Sequence, residues 1–380
     1  MGDLPIRRGV QQSLRGFAVE YASDCETAKR LPGGPGERTA PAARDFVGPS
    51  SGRGFVYPSP MRRFLIDTDT ASDDAVALVM ALRSPGVRVE AVTVVSGNVP
   101  LAQATENALY TVELCGAADV PVYMGADRPL AREPVHAQWF HGDDGFGNQN
   151  YPPASLRPRD GHAADAIVRT VRAHPGIELV TLGPLTNVAV ALASDPSIAR
   201  NVRRCVVMGG NPCCEGNVTP AAEYNIWCDP EAARAVFRSG MNVELVGWQL
   251  CRGEANLNET DIAHVRGLGT KLAHFAIDIN RTAMQSNLTQ CGEVGIPLPD
   301  PVAMAVALDP TIALESSRHR VEVECESELT RGMTVVDRLN VCRDDRNRDV
   351  WNAAGDAMLN VVWAIDVPRW KALLFQALGS

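Results

Sequence analysis

The stretch from Phe64 to Val79 sets Asp67, Asp69, Asp73 and Asp74 between a short apolar run and a longer one. That pattern predicts a buried strand, a tight turn and a buried helix. Carboxylates crowded at such a junction repel one another and resist desolvation, so they need a cation or must take up protons. A bound metal is the simplest resolution, and an all-oxygen ligand set of high charge favours Ca²⁺ or Mg²⁺ over a thiolate or imidazole metal. Helix capping and the helix dipole account for one or two acids in a first turn, but not for four.

With 380 residues, 45% of them hydrophobic, the chain can bury a large core. A formal charge of -9 and only three lysines, Lys29, Lys271 and Lys371, argue against nucleic acid as a partner. No apolar run reaches the length of a membrane span, and the arginines near the start precede no apolar signal segment. The ten cysteines include adjacent Cys213 and Cys214 but no C-x-x-C spacing, which predicts reduced, mostly buried thiols in a cytoplasmic protein. Residues 1–60 are rich in Arg, Gly, Pro and Ser and are expected to form a disordered extension ahead of one catalytic domain at 61–380.

From Arg62 onward, apolar strand patterns alternate with helical ones, predicting an α/β fold: an open, mostly parallel Rossmann-like sheet flanked by helices. Strands are expected at 87–95, 120–124, 178–182, 205–208 and 243–247. Helices are expected at 101–115, 163–173, 302–308 and 367–378. Residues 321–325 and 333–336 alternate like a small antiparallel hairpin near the C-terminus, and 361–365 reads as a further strand. The strands end in Gly, Asn, Asp or Trp, and ligands of such sheets sit beyond the carboxyl ends, so one pocket is expected there. The polar, Gly-rich segment from His136 to Asn150 is too long for a plain connection and is a candidate lid.

Asp67-Thr68-Asp69 followed by Asp73-Asp74 closely resembles the opening motif of the inosine-uridine-preferring nucleoside hydrolases. The resemblance continues through Gly97-Asn98, Leu182-Gly183-Pro184-Leu185-Thr186-Asn187, Met208-Gly209-Gly210, the run from Glu215 to Asn225, Asp229-Pro230, Asp300-Pro301 and Leu329 to Asp337. It implies hydrolysis of the N-glycosidic bond of a ribonucleoside, a tightly held Ca²⁺ and a homo-oligomer. Position by position, it implies that Asp69, Asp74, the Leu182 carbonyl and Asp300 ligate the ion, with Asp69 also the general base. Asp73, Asn98, Asn217, Glu223 and Asn225 would hold the ribose, Met208 would join the substrate site, and Asp67 would lie behind the ligands. The chemistry is consistent, because a negatively charged pocket stabilises an oxocarbenium-like sugar and a divalent ion acidifies water.

One position departs from the pattern. Where many members carry a His or Trp before the ligating Asp, this chain has Pro299, which can neither protonate nor stack on a leaving base. Trp248, or His141, Asp143 and Asp144 on the candidate lid, are the alternatives, with His141 the candidate leaving-group residue and Trp248 a candidate base contact. Trp227 is expected in the core. Two other readings stay open: a phosphatase of the haloacid-dehalogenase type, which would need Lys271 near the acids, and a weakly active riboside-binding protein. An EF-hand is excluded, since the spacing lacks its sixth-position Gly and twelfth-position Glu.

Overall fold

Among the described residues ten strands carry the fold: β1 (Arg62–Thr68), β2 (Val87–Val94), β3 (Val122–Met124), β4 (Glu178–Thr181), β5 (Arg204–Met208), β6 (Val243–Val246), β7 (Ala313–His319), β8 (Val321–Val323), β9 (Thr334–Val336) and β10 (Leu359–Ile365). The computed structural model describes residues 61–347, 351 and 358–380, so the extension expected at 1–60 lies outside the described residues. Eight strands form one sheet in the order β3-β2-β1-β4-β5-β6-β10-β7, and β8 pairs with β9 in the expected antiparallel hairpin. Six neighbouring pairs in the large sheet are parallel, and only β10 with β7 is antiparallel.

The central strands are buried on both faces, which is why they read as nearly continuous apolar runs. Alternation along β1 sorts the core. Phe64 and Ile66 pack with the Ser72–Leu82, Leu101–Leu114, Pro299–Leu308 and Val367–Gly379 helices, while Leu65 packs with the Ala163–Ala173, Thr186–Ser194 and Pro230–Arg238 helices. After β1 the chain builds outward through β2 and β3, then returns to lay β4 on the other side of β1. The carboxyl ends of β1 and β4 therefore flank the crevice where strand order reverses, the usual ligand position in such sheets.

Several regions were not assigned from sequence, the Thr186–Ser194 helix among them. Strand β7 is mostly exposed along its length, and its polar residues suit a sheet edge rather than a core strand. Helices Glu259–Gly267, Lys271–Asp278 and Arg281–Cys291 also appear, the last of them weakly amphipathic because it faces a polar cavity. Trp227 is half-buried rather than in the core, with the Arg331 guanidinium 4.0 Å from its ring centroid.

The Pro299–Leu308 helix ties the two ends of the sheet together. Its last carbonyls accept hydrogen bonds from arginines: Leu308 and Ala307 from Arg62 at 2.7 Å, and Val306 from Arg204 at 3.0 Å. Its first turn carries Asp300.

Candidate active site

The turn after β1 places the acids. Asp74, in the first turn of the Ser72–Leu82 helix, reaches back to accept the Thr68 hydroxyl at 2.6 Å and the Ala71 N–H at 3.0 Å. Asp69 accepts the Asn98 N–H at 2.5 Å and is wedged between two glycines. A Cβ at Gly97 would stand 2.1 Å from Asp69 Oδ2, and one at Gly183 would stand 2.6 Å from Oδ1, so both positions must be glycine for Asp69 to fit. Asp67 lies beneath, holding Thr93 at 2.5 Å and Asn187 at 2.9 Å. Asp73, Asp74 and Asp300 each offer an oxygen within 4.8 Å of the others. Asp69 adjoins this group, and the charges of Asp74 and Asp73 bear on it.

These groups are buried without compensation. Burial, followed by the neighbouring Asp74 charge, pushes the Asp73 carboxyl up to about 7; burial alone lifts Asp67 to about 7 against its hydrogen bonds. Burial and the mutual repulsion of the cluster raise Asp69 and Asp300 well above the carboxylate range. Among the described residues no Lys or Arg pairs with any of the five, and Asp67 Oδ2, Asp69 Oδ1 and Asp73 Oδ1 are sealed without a hydrogen-bond partner. Converging oxygens of Asp73, Asp74 and Asp300 from two separate helices, with unpartnered oxygens on Asp73 and on adjoining Asp69, fit a hard divalent cation.

One cavity opens above this floor. Of the sequence-predicted residues, Asp73, Asn98, His141, Leu182, Met208, Asn217, Glu223, Asn225, Trp248 and Asp300 all line it, as does Pro299; Asp69 and Asp74 lie behind the lining. The carboxyl-end loops after β2, β4, β5 and β6 each supply at least one of them. Glu223 also caps the Tyr224–Cys228 helix, accepting the N–H groups of Asn225, Ile226 and Gly210. Asn225 donates to the Leu182 carbonyl at 2.8 Å, and Asn217 accepts the Tyr224 N–H at 2.9 Å. Trp248 is fixed by a hydrogen bond to the Glu215 carbonyl and by the Arg252 guanidinium 4.9 Å from its ring centroid.

The segment from His136 to Asn150 is packed down rather than loosely hinged. Phe146 is buried among Tyr110, Tyr151 and Phe275, and His136 Nδ1 sits 2.8 Å from the Gly97 carbonyl. Asp144 is consumed by this loop, accepting the N–H groups of Phe146, Asn148 and Asn150, and neither it nor Asp143 lines the cavity. His141 does line it, and burial pulls its imidazole down to about 3. Lys271 is exposed and does not line the cavity, which removes the cation a phosphatase reading requires.

Sequence reasoning missed Tyr224 and one whole wall. Asn280, Ala283, Asn287 and Gln290 line the cavity from a single helical face. Their i, i+3, i+7, i+10 spacing was the available signal, obscured because a polar stripe without apolar partners does not look like a packing face. Six of the nine described cysteines are buried and all nine are free, as the spacing suggested. No helix among the described residues is long and apolar enough to cross a membrane.

Residues 64–372 match the profile of the inosine-uridine preferring nucleoside hydrolases. The pyrimidine-specific ribonucleoside hydrolase RihA of Salmonella enteritidis PT4 is 38% identical over 276 residues, 72% of this chain and 88% of that protein. A solved plant nucleoside hydrolase, the PpNRh1 enzyme, superposes with a TM-score of 0.80 at 32% identity, covering 84% of this chain and 100% of the other. A purine-preferring ribonucleoside hydrolase from Gardnerella vaginalis gives 0.75 at 30% identity, covering 84% and 98%. The chain belongs to the inosine-uridine preferring nucleoside hydrolase family. It is accordingly a hydrolase of N-glycosidic bonds in nucleosides, from a metal-dependent family.

Proposed function

We propose that the enzyme takes a ribonucleoside with its ribose against the acidic floor, and that Asp69, Asp74, Asp300 and the Leu182 carbonyl hold Ca²⁺. The observation that carries this reading is the convergence of buried carboxylates, Asp73, Asp74 and Asp300 with Asp69 beside them and an unpartnered oxygen on Asp69 and on Asp73, beneath a wall of Asn98, Asn217, Glu223 and Asn225. When bound, the ion supplies Lewis acidity that makes a water nucleophilic near neutral pH. Asp69 is the general base, since its Oδ1 accepts no hydrogen bond from the protein and so keeps its lone pairs for a proton. Asp73 and the wall residues grip the ribose hydroxyls, and their negative field stabilises the positive charge that develops on the sugar. His141 assists the departing base, and Met208 and Trp248 bound the substrate.

The base accepted is a finer matter. The relatives include one named for pyrimidines and one named for purines, so the fold is compatible with either, and the wall around Trp248 is where we place the choice. Residues 61–380 act as one catalytic domain in this reading. A cytoplasmic location fits the free thiols, and assembly of identical copies follows from the family resemblance.

Ribose release from inosine and uridine, measured beside the 2′-deoxy compounds with calcium and with chelator, tests the reading. Ribonucleosides should be preferred by at least about 10²-fold, because a site built for a hydroxyl is left with unpaired buried groups when it is missing. Chelation should abolish turnover. Equal turnover of both sugars, or full activity in chelator, would show the reading to be wrong. Pro299 at the cavity wall favours a second reading, riboside binding with little turnover; a nucleoside panel with no release and retained binding would establish it.

A further inference from the structure

Pro299 has no hydrogen to offer a departing base, so help for the leaving group must come from elsewhere on the wall. His141 is the only histidine lining the cavity among the described residues. Its ring is held at one nitrogen. Nδ1 lies 2.9 Å from the Ser72 hydroxyl and 3.7 Å from Asp73 Oδ1, the latter beyond hydrogen-bond reach. Nε2 has no protein partner among the described residues, yet it is not one of the sealed unpartnered atoms, so it is the ring atom open to the cavity.

Ser72 decides which nitrogen carries the hydrogen. It is fully buried at the start of its helix, and His141 Nδ1 is the only partner of its hydroxyl among the described residues. Were Nδ1–H to donate to Oγ, the hydroxyl hydrogen would be buried with no acceptor, a penalty of roughly 1–3 kcal/mol. The hydroxyl therefore donates and Nδ1 accepts, which leaves the ring hydrogen on Nε2. The rest of the segment keeps the ring in place: the His141 carbonyl accepts the Gly147 N–H at 2.8 Å, and Phe146 anchors the loop in the core.

We propose that Ser72 is a positioning residue that fixes His141 as its Nε2–H tautomer, and that this N–H donates a hydrogen bond to the nucleobase as it leaves. The inference rests on the nucleoside-cleaving reading given above. No proton leaves the imidazole: the uncharged ring meets the negative charge accumulating on the base, and the proton that the base finally keeps comes from solvent. Ribosides whose leaving group is stable as an anion gain nothing from this contact.

The test uses the full chain with calcium, its Ser72→Ala and Ser72→Thr variants, inosine and uridine as natural substrates, and 4-nitrophenyl riboside as the activated one. Ser72→Ala should lower kcat on the nucleosides by about tenfold, with KM nearly unchanged and 4-nitrophenyl riboside within about twofold of the parent. Ser72→Thr should restore most of the loss. In ¹⁵N-histidine-labelled parent protein, the His141 signals, identified by their absence from His141→Ala, should show a protonated Nε2 and a bare Nδ1. A protonated Nδ1 in the parent overturns the inference without any variant having to fold. Equal losses on nucleosides and on the activated riboside also overturn it, leaving the functional reading intact. No cleavage of any riboside by the parent removes the functional reading, and the inference with it.

Discussion

The two ends of the sheet bury acidic side chains in opposite ways. At the amino ends, Arg62 grips Glu178 with two N–H groups at 2.7 and 2.5 Å, and Arg204 takes Glu244, to which Asn360 adds a bond at 3.0 Å. The same arginines satisfy the last carbonyls of the Pro299–Leu308 helix. At the carboxyl ends, Asp67, Asp69, Asp73, Asp74 and Asp300 have no arginine or lysine partner among the described residues, and three of their oxygens have no partner there. The chain thus neutralises buried acids with its own cations where only stability is at stake. It leaves them uncompensated where, in the function proposed, a bound cation supplies the positive charge.

The largest effect should come from the uncompensated end. Asp300→Asn removes one converging carboxylate from a group whose members repel one another. Turnover of ribonucleosides should fall by on the order of 10²- to 10³-fold or more. Calcium should raise the melting temperature of the parent but not that of the variant. Stability in chelator should stay within about 1 kcal/mol of the parent or exceed it, because repulsion is relieved. A variant that is markedly less stable in chelator would mean that the acids already hold one another in place, and the contrast between the two ends would break.

At the compensated end the signs reverse. Arg204→Met strips Glu244 of its arginine and takes the arginine from the Val306 carbonyl, in a position where the Arg204 side chain is only 13% exposed. Unfolding by denaturant should show a loss of about 3–5 kcal/mol, the cost of leaving a buried charge unpaired. Turnover per folded molecule should change by less than about threefold. Collapse of activity with unchanged stability would place Arg204 in the site machinery and erase the distinction.

The uncompensated end was legible in the sequence because its residues sit next to one another along the chain. Asp67, Asp69, Asp73 and Asp74 occupy one turn, and a crowd of acids without nearby bases is a local pattern. The compensated end was not legible: Arg62, Glu178, Arg204, Glu244 and Asn360 each look like an ordinary residue at a strand start, and only the strand order brings them together. The same reasoning explains the walls of the cavity. Asn98 and Trp248 stand where strand ends announce themselves, and Leu182 and Met208 came from the family resemblance, whereas Asn280, Asn287 and Gln290 sit on a helix whose polar stripe has meaning only once a cavity lies against it. Strand β7 was missed for a related reason: an edge strand with an exposed face carries no hydrophobic alternation to read.

The smallest effect belongs to a third class of acid, and it tests whether burial or pairing sets the cost at the amino ends. Arg238 lies on Glu322 with two bonds of 2.9 Å each, nearly the geometry of Arg62 on Glu178. Its side chain, however, is 35% exposed, against 26% for Arg62 and 13% for Arg204, and Glu322 is 16% exposed against 5% for Glu178. Water can solvate both partners when the pair is broken, so Arg238→Ala should cost less than about 1 kcal/mol, and less still in high salt. A loss matching that of Arg204→Met would mean that fork geometry alone sets the energy. In that case the unpaired acids at the other end would be costly wherever they stood, and their burial would no longer distinguish a site awaiting a cation.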